Sequence, residues 1–144
     1  MKNDDVTILL VDDDEVDAMD IEDSLQKRKI GNSIVRAVDG VEALEVLRGE
    51  NGRSKLKEPY LILLDIKMPR MDGLSFLKEL RDDPTLKHSI VFVLTTSDAE
   101  DDRSSAYKYN VAGYLTKSDT GQQLLDKLQI IEDYILYVRF PPKI

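Results

Sequence analysis

Cysteine is absent and histidine occurs once, at His88, among the 144 residues. No disulfide framework, thiolate nucleophile or cysteine-ligated zinc can therefore form, and one imidazole cannot build a multi-histidine metal site. No apolar run approaches membrane-spanning length, and the chain starts with Lys2, Asn3, Asp4 and Asp5. Neither a signal peptide nor a membrane helix is expected, and the cytoplasm is the default address. Glycine (7) and proline (5) are scarce, whereas 42% of residues are hydrophobic and 33% charged, the composition of a folded chain and not of a disordered one. Basic residues are also in deficit, 20 against 28 acidic, for a formal charge of -8. That field opposes binding to phosphate backbones or anionic lipid, so no direct nucleic-acid or membrane partner is expected. The length suits one domain over residues 1–144, with a core from about 6 to 138 and no separate effector module.

What is present is a repeating alternation. Apolar, β-branched runs at Val6 to Val11, Ser33 to Val38, Tyr60 to Leu64, Ser89 to Leu94 and Ala112 to Leu115 read as strands, several apolar on both faces. Helices covering both sides of a parallel sheet produce that pattern, so the fold class is α/β, a doubly wound five-stranded parallel sheet. The first helix is expected from Glu15 to Lys29, with Ala18, Ile21 and Leu25 on one face, ending before Gly31. A second runs from Val41 to Leu47 and stops at Gly49. The third starts near Gly73, sets Leu74, Leu77 and Leu80 on one side and ends before Pro84. A fourth opens at Asp98 with Glu100, Asp101 and Asp102 in its first turn, and its weak apolar pattern marks it as the least firmly docked. The fifth runs from Asp119 to about Val138, before Phe140, Pro141 and Pro142. Residues Gly49 to Pro59 form a polar insertion, long for such a connection.

In open α/β sheets, ligands gather beyond the carboxyl ends of the strands. Here those ends carry Asp12, Asp13 and Asp14 after the first strand, Asp65 after the third, Thr95, Thr96 and Ser97 at the fourth, and Thr116 and Lys117 at the fifth. With strand order 2-1-3-4-5, Asp12, Asp13 and Asp65 converge. Two carboxylates about 4 Å apart at an effective dielectric near 20 repel by roughly 4 kcal/mol, so the patch calls for a counter-ion. All donors are hard oxygens, which points to Mg²⁺ and away from zinc or copper. Asp65 is then the candidate nucleophile toward an activated phosphoryl group, Lys117 a mobile positive charge for its oxygens, and Thr95 a hydroxyl donor. Asp14 reads as the N-cap of the first helix and His88 as an ordinary surface residue.

The motifs ILLVDDD at 8 to 14, LILLDIKMPRMDG at 61 to 73, VFVLTTS at 91 to 97 and AGYLTKS at 112 to 118 closely resemble the receiver domains of two-component response regulators. The resemblance spans essentially the whole chain and implies a flavodoxin-like fold in which Asp65 accepts a phosphoryl group from a phosphohistidine on a sensor histidine kinase. It implies that Asp12 and Asp13 hold Mg²⁺ with Asp65 and the main-chain carbonyl of Lys67, Asp13 being the more direct ligand. It further implies that the Thr95 hydroxyl moves toward the phosphoryl group while Tyr114 turns inward, repacking the face made by the fourth helix, fifth strand and fifth helix. Such a domain is a regulatory phosphoacceptor that catalyses only its own phosphorylation and dephosphorylation.

This chain departs from the pattern at Ser118, where the family usually has a proline after a cis bond; a cis bond to a non-proline residue costs about 2.5 to 4 kcal/mol, so this peptide is either trans or strained. Thr96 stands where the family often has alanine or glycine, and the resemblance places Lys67 and Ser97 where side chains affect hydrolysis of the acyl phosphate. In the fifth helix, Leu124, Leu128, Ile131, Ile135 and Val138 make the stripe suited to the sheet. Ile130, Tyr134 and Tyr137 lie off it, either folding over the core or supporting a homodimer or a downstream partner. The long loop and the FPP tail also resemble receivers that serve bacterial phytochrome kinases. Other readings are a degenerate receiver that binds partners without phosphorylation, a Mg²⁺-dependent phosphatase and a flavin protein. The phosphatase needs a second acid where Lys67 stands, and the flavin protein needs a phosphate cradle where Asp12 to Asp14 would repel one.

Overall fold

The computed structural model describes residues 6–27, 32–117 and 121–142. The apolar runs become β1 (Thr7–Val11), β2 (Ile34–Ala37), β3 (Tyr60–Leu64), β4 (Ile90–Thr95) and β5 (Gly113–Thr116), all parallel, in the order β2-β1-β3-β4-β5. Between them lie α1 (Glu15–Lys27), α2 (Gly40–Arg48), α3 (Gly73–Asp82) and α4 (Glu100–Lys108), and α5 (Gly121–Tyr137) follows β5. Successive side chains of a strand point to opposite faces, so each central strand feeds two apolar layers. Leu9, Val11, Ile62, Leu64, Val91 and Val93 face α2 and α3, meeting Ala43, Leu47, Phe76, Leu77 and Leu80. Ile8, Leu10, Leu61, Leu63, Phe92 and Leu94 face α1 and α5, meeting Ala18, Ile21, Leu25, Leu128, Ile131 and Ile135. This is the doubly wound sheet that the alternation implied.

Local chemistry sets the helix ends. Asp14 does cap α1, accepting from the Asp17 N–H at 2.9 Å. Gly49 ends α2 with φ 69°, a left-handed conformation open to glycine without a Cβ penalty. Beyond it the polar insertion is pinned by buried Leu56, whose N–H donates to Val46 O at 3.0 Å, and by Arg53, which pairs with Glu42 at 2.8 Å. The fourth helix departs from expectation: it begins at Glu100, with Ala99 at its N-cap position and no side-chain cap. Ser97, rather than Asp98, engages the first turn, donating to Asp102 Oδ2 at 2.5 Å. The weak docking expected of this helix holds, since Ala106 is its one buried residue. The expected starts and stops at Lys29, Gly31 and Asp119, the residues Lys2 to Asp5, and Ser118 with its peptide bond lie outside the described residues.

In the fifth helix one residue is corrected and one open alternative is decided. Val138 is 37% exposed and leaves the buried stripe, because the helix ends at Tyr137. Tyr134 turns inward, its ring edge-on to Phe92 at 5.0 Å and to Phe140 at 5.8 Å, so it folds over the core and does not belong to the exposed patch with Ile130 and Tyr137. Removing it deletes two aromatic contacts and opens a cavity. Tyr134→Ala is expected to cost about 2 to 4 kcal/mol in urea unfolding, with little change in the unfolding slope.

Asp39 links the sheet ends to the loop after β3. It is 3% exposed, caps α2 by accepting from the Glu42 N–H at 2.9 Å, and accepts from Arg70 Nε at 2.7 Å. Burial pushes its pKa up, but hydrogen bonds from Arg70 and Glu42 outweigh this and hold it below the usual 3.8. A depressed folded pKa contributes stability above the unfolded value, and that stability is lost as pH falls through the folded one. Below about pH 4 the wild type is therefore expected to lose stability more steeply than Asp39→Asn, which lacks the ionisable group. Denaturant titrations at a series of acid pH values check this.

Candidate functional site

Strand register brings the acids together. Val11 pairs with Leu64, and Asp65 N–H donates to Val11 O at 2.9 Å, so Asp12 and Asp65 leave adjacent strands side by side. Thr95 pairs with Thr116, which places Lys117 just past the end of β5 on the same edge. Asp12 and Asp65 are 1% and 5% exposed, whereas Asp13 faces solvent. One carboxylate oxygen from each of Asp12, Asp13 and Asp65 lies within 4.8 Å of the others. Three hard oxygens at the carboxyl edge of the sheet, one of them from an exposed residue, fit a divalent cation that keeps part of its water shell.

Lys117 lies inside this cluster. Its Nζ contacts Asp12 Oδ2 at 2.7 Å, Asp17 Oδ2 at 2.8 Å and Asp65 Oδ2 at 3.1 Å. Burial would lower its pKa, yet hydrogen bonds to Asp12 and Asp17 and the charges of Asp65 and Asp12 dominate and raise it well above the usual lysine range. The side chain is a permanent cation. For Asp12, burial is the largest influence and raises the pKa above 3.8, opposed by the Lys117 hydrogen bond and the Asp14 N–H. A single ammonium thus faces three carboxylates, and the excess negative charge gives a cation its place.

The other oxygen of Asp65 is held differently. Thr95, fully buried, donates its hydroxyl to Asp65 Oδ1 at 2.6 Å, and the Lys67 N–H reaches the same atom at 3.3 Å. Tyr114 is half-buried and donates to Ser97 O at 3.0 Å. Gly73 makes room for the acid at the start of α3: a Cβ there would collide with the Asp65 carbonyl oxygen and come within 2.8 Å of Ile66 Cα. His88 is exposed at the opposite end of the sheet and takes no part. The structure thus joins Asp12, Asp13, Asp65, Thr95 and Lys117 in one cluster, with Lys67 and Tyr114 at its rim. Sequence reasoning missed Asp17, whose place one turn into α1 was the available signal, and Asp102, which pairs with Lys67 Nζ at 3.3 Å.

Residues 8–129 match the response regulator receiver domain family. The chain belongs to that family. It is 36% identical over 129 residues to response regulator Rcp1 of Synechocystis sp., covering 90% of this chain and 88% of that one. It also resembles two solved structures. The phosphorylated cyanobacterial phytochrome response regulator RcpA has a TM-score of 0.87 and 37% identity, with 96% of this chain and 99% of that one covered. The Mn²⁺-bound form of Rcp1 has a TM-score of 0.83 and 33% identity, with 95% and 99% covered. As a response regulator receiver domain, the protein is a phosphoacceptor signalling module of two-component systems, and histidine kinases phosphorylate such domains. Neither the phosphatase nor the flavin reading is favoured. The acidic cluster is of a kind that binds a divalent metal. Among the described residues, no helix is long and apolar enough to cross a membrane.

Proposed function

We propose that Asp65 is the residue that accepts the phosphoryl group, in the cytoplasm, from a phosphohistidine of a sensor histidine kinase, and that the unit spanning about residues 6–138 works as one switch. Asp12, Asp13, Asp65 and the Lys67 main-chain carbonyl would hold Mg²⁺, which when bound neutralises charge on the incoming phosphoryl oxygens. The observation that carries the reading is the Asp65 carboxylate itself, buried at a strand end with Thr95 on one oxygen and Lys117 on the other.

An Asp65 oxygen forms the new bond to phosphorus as the bond from phosphorus to the donor imidazole breaks, and the imidazole keeps the electron pair. Lys117 then exchanges its contact with Asp65 Oδ2 for the phosphoryl oxygens while staying anchored on Asp12 and Asp17. The Thr95 hydroxyl, already aimed at Asp65 Oδ1, turns to the phosphoryl group. Tyr114 follows, because its hydroxyl is tied to the segment immediately after Thr95. The face made by α4, β5 and α5 carries the output to a second copy or a downstream protein. Exposed Ile130 and Tyr137 on α5 support that use. The similarity to phytochrome response regulators favours a light-sensing kinase as the donor.

The test is incubation with Mg²⁺ and a small phosphoramidate, followed by intact mass measurement. One added phosphoryl group, lost when the cation is chelated before donor is added, is the expected result. A chain that stays unmodified by every donor tried is instead a degenerate receiver.

A further inference from the structure

Two rim side chains meet on one carboxylate of α4. Lys67 lies two residues after Asp65, and its N–H points to Asp65 Oδ1 at 3.3 Å. Ser97 lies two residues after Thr95, and its N–H points to Thr95 Oγ1 at 3.3 Å. Asp102 Oδ2 takes both, accepting from Ser97 Oγ at 2.5 Å and pairing with Lys67 Nζ at 3.3 Å. The Asp102 side chain is only 16% exposed, whereas that of Lys67 is 66% exposed. The carboxylate is therefore the fixed member of the pair and the lysine the mobile one. Asp102 sits in the first turn of a helix that buries Ala106 alone, and this polar clamp ties that turn to the rim of the site.

We infer that Asp102 is a positioning residue: oriented by Ser97, it holds the Lys67 ammonium away from the acceptor and in that way sets how long a phosphoryl group stays on Asp65. The inference rests on the reading of Asp65 as acceptor. A phosphoryl group brings a charge of about -1.5 to -2 next to Lys67 and competes with Asp102 for it. In hydrolysis a water oxygen bonds to phosphorus, the phosphorus–Asp65 oxygen bond breaks with its electron pair returning to the carboxylate, and the water proton passes to solvent. An ammonium resting on the phosphoryl oxygens binds the ground state at least as well as the transition state and gives no acceleration. Its four-carbon stem also covers the approach of the water. Asp102 keeps that ammonium aside and so keeps the adduct short-lived.

The experiment follows adduct decay by intact mass after donor removal, for wild type, Asp102→Asn, Lys67→Ala and the double variant. Lys67→Ala keeps the main-chain carbonyl. Asp102→Asn keeps an oxygen for Ser97 but deletes the ion pair, and is expected to lengthen the lifetime about threefold to tenfold. In the Lys67→Ala background the same change is expected to leave the lifetime within about twofold, which a merely structural role would not produce. Thermal unfolding shows that each variant is folded, and Asp102→Glu, which retains the charge, restores decay toward wild type. A folded Asp102→Asn protein that decays like wild type or faster overturns the inference, as does equal lengthening without Lys67. If wild type takes no phosphoryl group at all, the acceptor reading fails first and this inference falls with it.

Discussion

Asp65→Asn is expected to fold as wild type does and to take up no phosphoryl group from a small phosphoramidate under conditions that modify wild type. The substitution is nearly isosteric. The amide oxygen can still accept from the Thr95 hydroxyl, now 2.6 Å from Asp65 Oδ1, and Lys117 keeps Asp12 at 2.7 Å and Asp17 at 2.8 Å. No apolar contact is lost, so unfolding free energy is expected to stay within about 1 kcal/mol of wild type. What disappears is the anionic oxygen. A neutral amide is a poor nucleophile toward phosphorus, and removal of one negative charge also weakens the oxygen cluster as a cation site. The loss should be complete within the detection limit of intact mass measurement, with divalent-cation binding weakened in the same variant. An adduct of unchanged yield on Asp65→Asn would move the acceptor to another carboxylate, Asp13 being the exposed one.

The legible features of the fold depended on local periodicity. Each of the five apolar runs became a strand, and the residues immediately after β1, β3 and β5 became Asp12, Asp65 and Lys117 of the site, because a parallel register aligns strand ends. Capping was partly legible: Asp14 follows the rule, whereas Asp98 looks like a cap in sequence but the helix starts behind Ala99 with no side-chain cap, and Ser97 reaches its first turn through Asp102. By its phase on α5 Tyr134 lies off the sheet-facing stripe, and the sequence left open whether it folds over the core. Its placement depends on Phe92 from β4 and Phe140 beyond the helix, neither of which helical periodicity can register. The long-range polar ties were the least legible. Arg70 to Asp39 and Lys67 to Asp102 join segments more than thirty residues apart, and a charged residue in a loop reads the same whether or not such a partner exists.

Arg81 shows this limit most sharply and carries a large expected effect on stability. In sequence it is a basic residue in the last turn of α3, worth a few tenths of a kcal/mol against the helix dipole. In the structure its guanidinium donates to four main-chain carbonyls: Tyr109 O at 2.6 Å, Lys87 O at 2.7 Å, Ser89 O at 2.8 Å and Asn110 O at 3.2 Å. Burial lowers its pKa from the usual arginine value. The planar fork joins α3 to the entry of β4 and to the turn between α4 and β5, and few other side chains offer donors in that arrangement. Truncation leaves several carbonyls to be resolvated, of which Ser89 O belongs to a buried residue. Arg81→Ala is therefore expected to lose about 3 kcal/mol, equivalent to a fall of roughly 10 °C in Tm for a domain of this size. Arg81→Lys should recover less than half, since one ammonium cannot span both sets of acceptors. Because Arg81 approaches the β5 entry and not the acidic cluster, the phosphoryl adduct should still form on both variants at temperatures below their melting. A loss under about 1 kcal/mol in Arg81→Ala would mean that solvent replaces the guanidinium at all four carbonyls and that the fork adds little to the fold.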